Sequence, residues 1–263
     1  MKKYVLTLLT MILFKNTFAC INPKTIALKN GTVIAMDSPG EIIPHGHHFL
    51  EENFDRANVE LDRLWKKTKN IDYYSDYGIV LILQKKYKEA INVYLDIEKI
   101  KPDRYATASN LGTIHDLLGE NETAIVWIKK AIAIDPTSHK HSEGLHVKIL
   151  EAKIKGDPFM NGKFLLNVDF GTDSIPRSTL SRKKLLMLRY ALFFQLQERM
   201  SFVKPTDKTI AALLFDLGNI AILTDSKAEA CDIYEKAQLY GFTDIPFVLR
   251  YNTVKRYKKI RKW

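Results

Sequence analysis

The chain has 263 residues, 46% of them apolar and 27% charged, which is ordinary globular composition. That length holds one medium domain or a helical array with extensions, and the composition excludes wholesale disorder. The formal net charge is +10; Lys2, Lys3 and Lys15 fall in a segment expected to be removed, which leaves +7.

Residues 1–19 read as an export signal. Lys2 and Lys3 make a positive start, Tyr4 to Phe14 is an apolar run, and Thr17-Phe18-Ala19 ends on a small residue. The run is broken by Lys15 and is too short to span a bilayer. Cys20 follows Ala19 directly, which resembles the bacterial lipoprotein signal, in which that cysteine carries the lipid. The family prefers Leu and a small residue where this chain has Thr17 and Phe18, so lipidation at Cys20 and plain cleavage before it both stay open. The other cysteine, Cys231, lies in a helical pattern and is expected to be a buried free thiol. A Cys20–Cys231 disulfide rests on too little to be expected.

Residues 20–48 contain Lys24 to Leu28 and Thr32 to Ile34 around Asn30-Gly31, a hairpin signal in which both turn residues must tolerate positive φ. A lone hairpin is marginal in water, so it is expected to lie on the first helices. Over 49–70, Phe49, Phe54, Val59, Leu61, Leu64 and Trp65 fit an amphipathic helix that caps the next segment of the chain.

Residues 71–138 repeat with a period of 34: Gly78 recurs as Gly112, Ala90 as Ala124 and Pro102 as Pro136. Each Gly allows one helix to approach the next, and each Ala fills the crossing with a methyl group. Tyr94 and Ile128, one turn after those alanines, point inward. The prolines stop the second helix of each pair. Lys85 stands where a turn glycine is usual, and Leu81 and His115 replace a preferred tyrosine. A third match over 206–241 keeps the twelve-residue Gly-to-Ala spacing as Gly218 and Ala230, adds Tyr234 and Ala237, and ends at Gly241. Between them, 139–205 is irregular. His141 to Lys155 reads as a first helix without its partner, Gly156-Asp157-Pro158 breaks the chain, and 161–178 is loop-like. Ser178 to Met200 forms a long helix with Leu185, Leu188, Leu192 and Leu196 on one stripe. Residues 242–263 form a basic capping helix, with seven Lys or Arg and no acid from Arg250 to Lys262.

This pattern resembles the tetratricopeptide repeat, a helix–turn–helix unit of this period. The whole chain resembles the exported tetratricopeptide-repeat proteins of bacteria, specifically over 71–138 and in part over 206–241. The resemblance implies an all-α fold: a right-handed helical array with an irregular helical insertion and a small N-terminal hairpin. It also implies a scaffold for protein–protein interaction, not an enzyme, with no cofactor. In this family the groove lined by first helices binds partners, which here places Asp72, Ser75, Ile79, Ala106, Ser109, Thr113, Ala212, Phe215 and Asn219 in it. The set holds no Lys or Arg, unlike the subgroup that clamps acidic peptide ends. A segment of another protein fits such a groove, and so does this chain's own insertion helix.

The histidines are the concentrated candidates for chemistry, in two groups: His45, His47, His48 and His139, His141, His146. Imidazoles bind zinc or copper, so a metal- or small-ligand-binding envelope protein is the alternative reading. No recognised zinc spacing is present, however, and structural or surface roles are the ordinary ones. Val168-Asp169-Phe170-Gly171 is similar to the metal-holding triplet of protein kinases but lacks the accompanying glycine-rich and catalytic loops, so it reads as a turn. No phosphate loop, dinucleotide fingerprint or nucleophile elbow appears. An exported chain rarely meets nucleic acid, so the basic C-terminus reads as a solvated terminal helix with snorkelling side chains or as a patch for anionic lipid headgroups, the latter above all beside a lipidated Cys20.

Overall fold

The repeat signature folds as consecutive helix–turn–helix pairs in a computed structural model, which describes residues 24–38, 40–138 and 142–258. In the first pair, α2 (Ile71–Leu83) turns into α3 (Tyr87–Ile100); α4 (Tyr105–Leu117) and α5 (Asn121–Ile134) form the second. Ahead of them stand β1 (Lys24–Ala27), β2 (Val33–Asp37) and α1 (Phe54–Thr68). After them come α6 (Glu143–Lys155), the short α7 (Gly162–Leu165) and the long α8 (Arg182–Phe202). A third pair, α9 (Lys208–Leu223) and α10 (Lys227–Leu239), precedes α11 (Ile245–Lys258).

The small residues act where helices cross. A Cβ on Gly78 would sit 2.7 Å from the Tyr94 ring, one on Gly112 would sit 2.4 Å from Ile128, and one on Gly218 would sit 2.3 Å from Tyr234. Ala90, Ala124 and Ala230 are completely buried at the same crossings. The turns between paired helices share one backbone state: Lys85 (φ 61°), Gly119 (φ 79°) and Asp225 (φ 66°) occupy equivalent left-handed positions. Lys85 thus adopts the glycine conformation without being glycine, at a steric cost. The second helices end alike, with Lys101 and Asp135 at φ −142° and −143° just before Pro102 and Pro136.

The first repeat is capped by the hairpin and α1, which share a core of Leu28, Ile34, Phe54, Ala57, Leu61 and Val80. The hairpin is antiparallel, pairing Thr25 with Met36 and Ile26 with Ala35. Its turn differs from the expected two-residue form. Gly31 N–H donates to the Leu28 carbonyl (2.8 Å) and Leu28 N–H to the Thr32 carbonyl (2.9 Å), and of the Asn30-Gly31 pair only Gly31 has positive φ (86°). This is a three-residue loop closed by a left-handed glycine. Of the expected helix over 49–70, Phe49 and Leu50 are extended, and Glu51–Asn53 form a 3-10 turn that leads into α1. Phe49 bridges to Ala35 and Leu50 N–H donates to the Ile34 carbonyl, so β2 gains a short third neighbour. Within α1, Phe54, Ala57 and Leu61 face inward, while Val59 is 74% exposed and Trp65 stacks on Tyr74.

The insertion fills space around the third repeat. Residues 157–159 form a 3-10 turn, and α7 interrupts the expected loop, capped by Asn161 Oδ1 accepting from Phe164 N–H (3.1 Å). α8 opens at Ser181, whose Oγ accepts from Lys184 N–H, rather than at Ser178, whose Oγ caps the turn at Leu180. Leu185, Leu192, Leu196 and Met200 of α8 join the largest core, with Leu213, Leu217, Tyr234 and Phe247. α9 lies at its centre, and thirteen of its sixteen residues are buried. Cys231 is buried there too, and burial pushes its thiol up to about 11.

Candidate functional site

A cavity of about 400 Å³ lies where the outward face of α4 meets α6 and α8. Ser109, Thr113 and Asp116 of α4, one turn apart, line one wall; His146 and Lys153 of α6 and Glu198 and Arg199 of α8 line the others. Leu117, Leu118, Phe202 and Val203 give it an apolar side. Asp116 is the hub. Its Oδ1 accepts from Lys153 Nζ (2.6 Å), and its Oδ2 accepts from Arg199 Nη1 (2.9 Å) and faces His146 Nε2 (3.0 Å). Burial opposes ionisation of Asp116, but Arg199, the His146 hydrogen bond and Lys153 outweigh it and hold the carboxyl well below its ordinary range. Behind it, Glu143 takes a hydrogen bond from Tyr105 Oη (2.5 Å) and a longer one from Ser109 Oγ (3.4 Å), so α4 and α6 are tied together. Arg199 Nε and Nη2 are buried with no hydrogen-bond partner. A guanidinium edge of this kind recognises planar anionic or carbonyl groups.

The expected groove residues do not line one open groove. In the first repeat, Ile79 packs against the hairpin core, Ser75 is buried with its carbonyl accepting from Tyr94 Oη (3.0 Å), and Asp72 pairs with Arg104 (2.8 Å). Ser109 and Thr113 of the second repeat line the cavity, and Ala106, one turn earlier in α4, does not. In the third repeat Phe215, Asn219 and Ala212 border a second cavity of about 280 Å³, roofed by residues 160–171 of the insertion. The chain's own hairpin and insertion therefore cover two of the three faces, because both present apolar surface that must be buried.

The second cavity contains buried groups that no sequence pattern singles out. Arg250, placed by sequence in a basic solvated run, is fully buried. Its Nε donates to the Asp173 carbonyl (3.0 Å), Nη1 to Asn219 Oδ1 (2.9 Å) and Nη2 to the Phe170 and Gly171 carbonyls (2.8 and 2.6 Å). Tyr234 Oη also donates to Asn219 Oδ1 (2.7 Å). Asp216 Oδ1 accepts from Asn219 Nδ2 (3.2 Å), and its Oδ2 has no partner. Burial pushes this carboxyl up to about 7, with Asn219 and Arg250 offsetting part of the rise. No local pattern marks Asp216, Arg199 or Lys153; each gains meaning only from residues distant in sequence.

The histidines separate. His47 Nδ1 meets Asp37 Oδ2 (2.6 Å) and its Nε2 meets Glu198 Oε1 (3.2 Å), which joins β2 to α8. Burial works against a charge on His47, yet Glu198 and Asp37 together raise it above its ordinary value. His45 stacks on His48 at 5.0 Å and pairs with Glu41. His146 belongs to the Asp116 cluster. Among the described residues no group of three or more His, Cys, Asp or Glu side chains is placed to hold a metal ion. His139, His141, Cys20, the expected signal over 1–19 and the last five residues of the basic C-terminus lie outside the described residues. Gly171 N–H donates to Asp169 Oδ1 (2.8 Å), which makes the 168–171 segment a side-chain-stabilised turn. Among the described residues no helix is long and apolar enough to cross a membrane.

A family model described as a tetratricopeptide repeat matches residues 107–138, covering most of α4 and all of α5. Among solved structures, a tetratricopeptide repeat protein from Parabacteroides merdae ATCC 43184 is similar at 14% identity with a TM-score of 0.38, covering 78% of this chain and 93% of that one. No curated protein matches. The matched segment, α4 with α5, is thus similar to a tetratricopeptide repeat, and the pairs α2–α3 and α9–α10 repeat its glycine-to-alanine helix crossing.

Proposed function

We propose that this protein is an exported, non-catalytic scaffold at the bacterial cell envelope that seats a short segment of a protein partner between α4, α6 and α8. The observation that carries this reading is the cavity at the second repeat. There the first-helix position Thr113 stays partly open, with Ser109 buried in the wall beside it, next to an apolar side and an Arg199 edge with no hydrogen-bond partner in the chain. The other two repeat faces are already occupied by the chain itself. The partner segment it fits carries a backbone or side-chain carbonyl group for Arg199 and an apolar side chain for Leu118 and Phe202. The signal-like residues 1–19 and Cys20 support export and a lipid tether, with the basic C-terminus adding attraction to a membrane surface.

A photo-crosslinking residue at Thr113, compared in living cells with one at Val126, which is 66% exposed on α5, tests the partner site. A discrete adduct from 113 that disappears in Phe202→Asp and is absent from 126 is the expected result. Equal adducts at both positions, or none at 113, refute the site. Mass spectrometry of the protein recovered from cells tests export separately: a chain still starting at Met1 refutes it, and the mass of the first residue tells acylated Cys20 from plain cleavage.

A further inference from the structure

α8 opens as Arg182-Lys183-Lys184-Leu185-Leu186-Met187-Leu188-Arg189-Tyr190, with four cations and no acid. Its two faces diverge. Leu185, Leu192 and Leu196 enter the core, whereas Leu186, Met187 and Tyr190 are 41%, 63% and 54% exposed. With Arg182 and Lys183 they form one shallow surface. Positions 183, 186, 187 and 190 follow three- and four-residue steps, so they share one side of the helix.

The same end of the molecule gathers the cations of α11. Arg182 Nη2 donates to the Thr224 carbonyl (3.1 Å) and Arg189 Nη1 to Ser226 Oγ (3.0 Å), which seats the start of α8 beside the α9–α10 turn. Lys227, just after that turn, holds its Nζ 5.3 Å from the ring centre of Tyr257 near the end of α11. Lys255, Arg256 and Lys258 of α11 therefore flank the turn that α8 reaches. The acids here are Asp225, Glu229, Asp232 and Glu235. Glu229 pairs with Arg189, Glu235 with Lys258, and Asp225 lies 3.6 Å from Arg182. Eight cations (Arg182, Lys183, Lys184, Arg189, Lys227, Lys255, Arg256, Lys258) meet four acids, so this end stays positive.

We infer that this end, with the Leu186–Met187–Tyr190 stripe at its centre, docks peripherally on an anionic phospholipid surface. The apolar side chains enter the headgroup boundary, and the surrounding lysines and arginines meet lipid phosphates. A second copy of the chain is the poorer occupant, because pairing this end with itself brings like charges together. The inference deepens the envelope reading by naming the face turned to the membrane, and it depends neither on lipid at Cys20 nor on the cavity between α4, α6 and α8.

The test uses the full chain with Cys20→Ser, so that no acyl chain contributes, and sediments it with vesicles of equimolar phosphatidylglycerol and phosphatidylcholine or of phosphatidylcholine alone. Whatever residues 1–19 contribute is common to every variant and cancels in the comparison. Leu186→Glu with Met187→Glu, and separately Lys183→Glu with Lys184→Glu, are expected to weaken binding to the anionic vesicles by about tenfold or more, while the melting temperature is kept. Added salt is expected to weaken the unsubstituted chain. Equal binding to both vesicle types, or variants that bind as the parent does, overturns the inference. So does a dimer of the parent, seen by sedimentation, that both variants abolish without any vesicle dependence. The Thr113 crosslink, which these variants are expected to leave intact, shows separately whether the partner reading stands.

Discussion

The first and third repeats place a tyrosine over a glycine in the same way and then use it differently. Tyr94 lies over Gly78 and donates to the Ser75 carbonyl, while Asn110 of the next repeat donates back to it (2.8 Å). That hydroxyl links one repeat to its neighbour, as stacking requires. Tyr234 lies over Gly218, but its hydroxyl goes to Asn219, which also takes the Arg250 guanidinium. Five residues of α2 are buried, against thirteen of α9. One hairpin motif thus serves as a link in a stack and as the centre of a core. The difference comes from what is laid on the outer face of the first helix.

Seven substitutions sharpen that contrast. The largest effect is expected at Asp216, and its sign follows from its raised pKa. Because the folded carboxyl titrates near 7 instead of near 3.8, stability is full at acid pH and is lost as pH rises from about 4 through 7. Asp216→Asn should remove that loss. Melting at pH 8 should gain up to about 4 kcal/mol, at about 1.4 kcal/mol per unit, and melting at pH 4 should be unchanged. An equal gain at both pH values would contradict the burial argument. Next, Arg250→Met strands three carbonyls and Asn219, and urea unfolding should show a loss on the order of 3 kcal/mol. Asn110→Ala, the corresponding cut in the first repeat, should cost only about 1 kcal/mol; similar losses would erase the distinction drawn here.

Gly218→Ala forces a methyl group into the Tyr234 ring and should cost about 2 kcal/mol in thermal melting. Gly144→Ala, where nothing lies within 4 Å, should be neutral or stabilising. The smallest effect is a gain. Lys85→Gly relieves a left-handed lysine and should stabilise by about 1 kcal/mol, whereas Asp225→Gly should gain less because aspartate tolerates that conformation better. A destabilised Lys85→Gly would mean that the turn is not the strained element.

The repeats were legible because their signal is local and steric. A glycine twelve residues before an alanine, with a proline beyond, can serve only one kind of helix crossing. Asn161 and Asp207 cap α7 and α9 by equally local chemistry, accepting from Phe164 and Ile210 N–H, yet residues 161–178 read as a loop in sequence. What escaped was set by distant partners. Asn30-Gly31 suits both two- and three-residue turns, and only the bulge at Ile34 chooses between them. Arg250 looks like its basic neighbours until the Phe170 and Gly171 carbonyls surround it. The groove positions could be ranked by repeat register, but nothing near Ile79 or Phe215 in sequence announces the segment that covers it. Asp116, at the heart of the cavity, draws its partners from α6 and α8, outside the repeats altogether.

The contact of His47 with Asp37 on one side and Glu198 on the other has a mechanical consequence. It stitches β2 to α8, whose Glu198 lies about 150 residues beyond His47. Gly46 packs so closely on Met200 that an added Cβ would lie 2.5 Å from its carbonyl oxygen. A pull applied ahead of β1 therefore loads α8 directly instead of peeling away one repeat at a time.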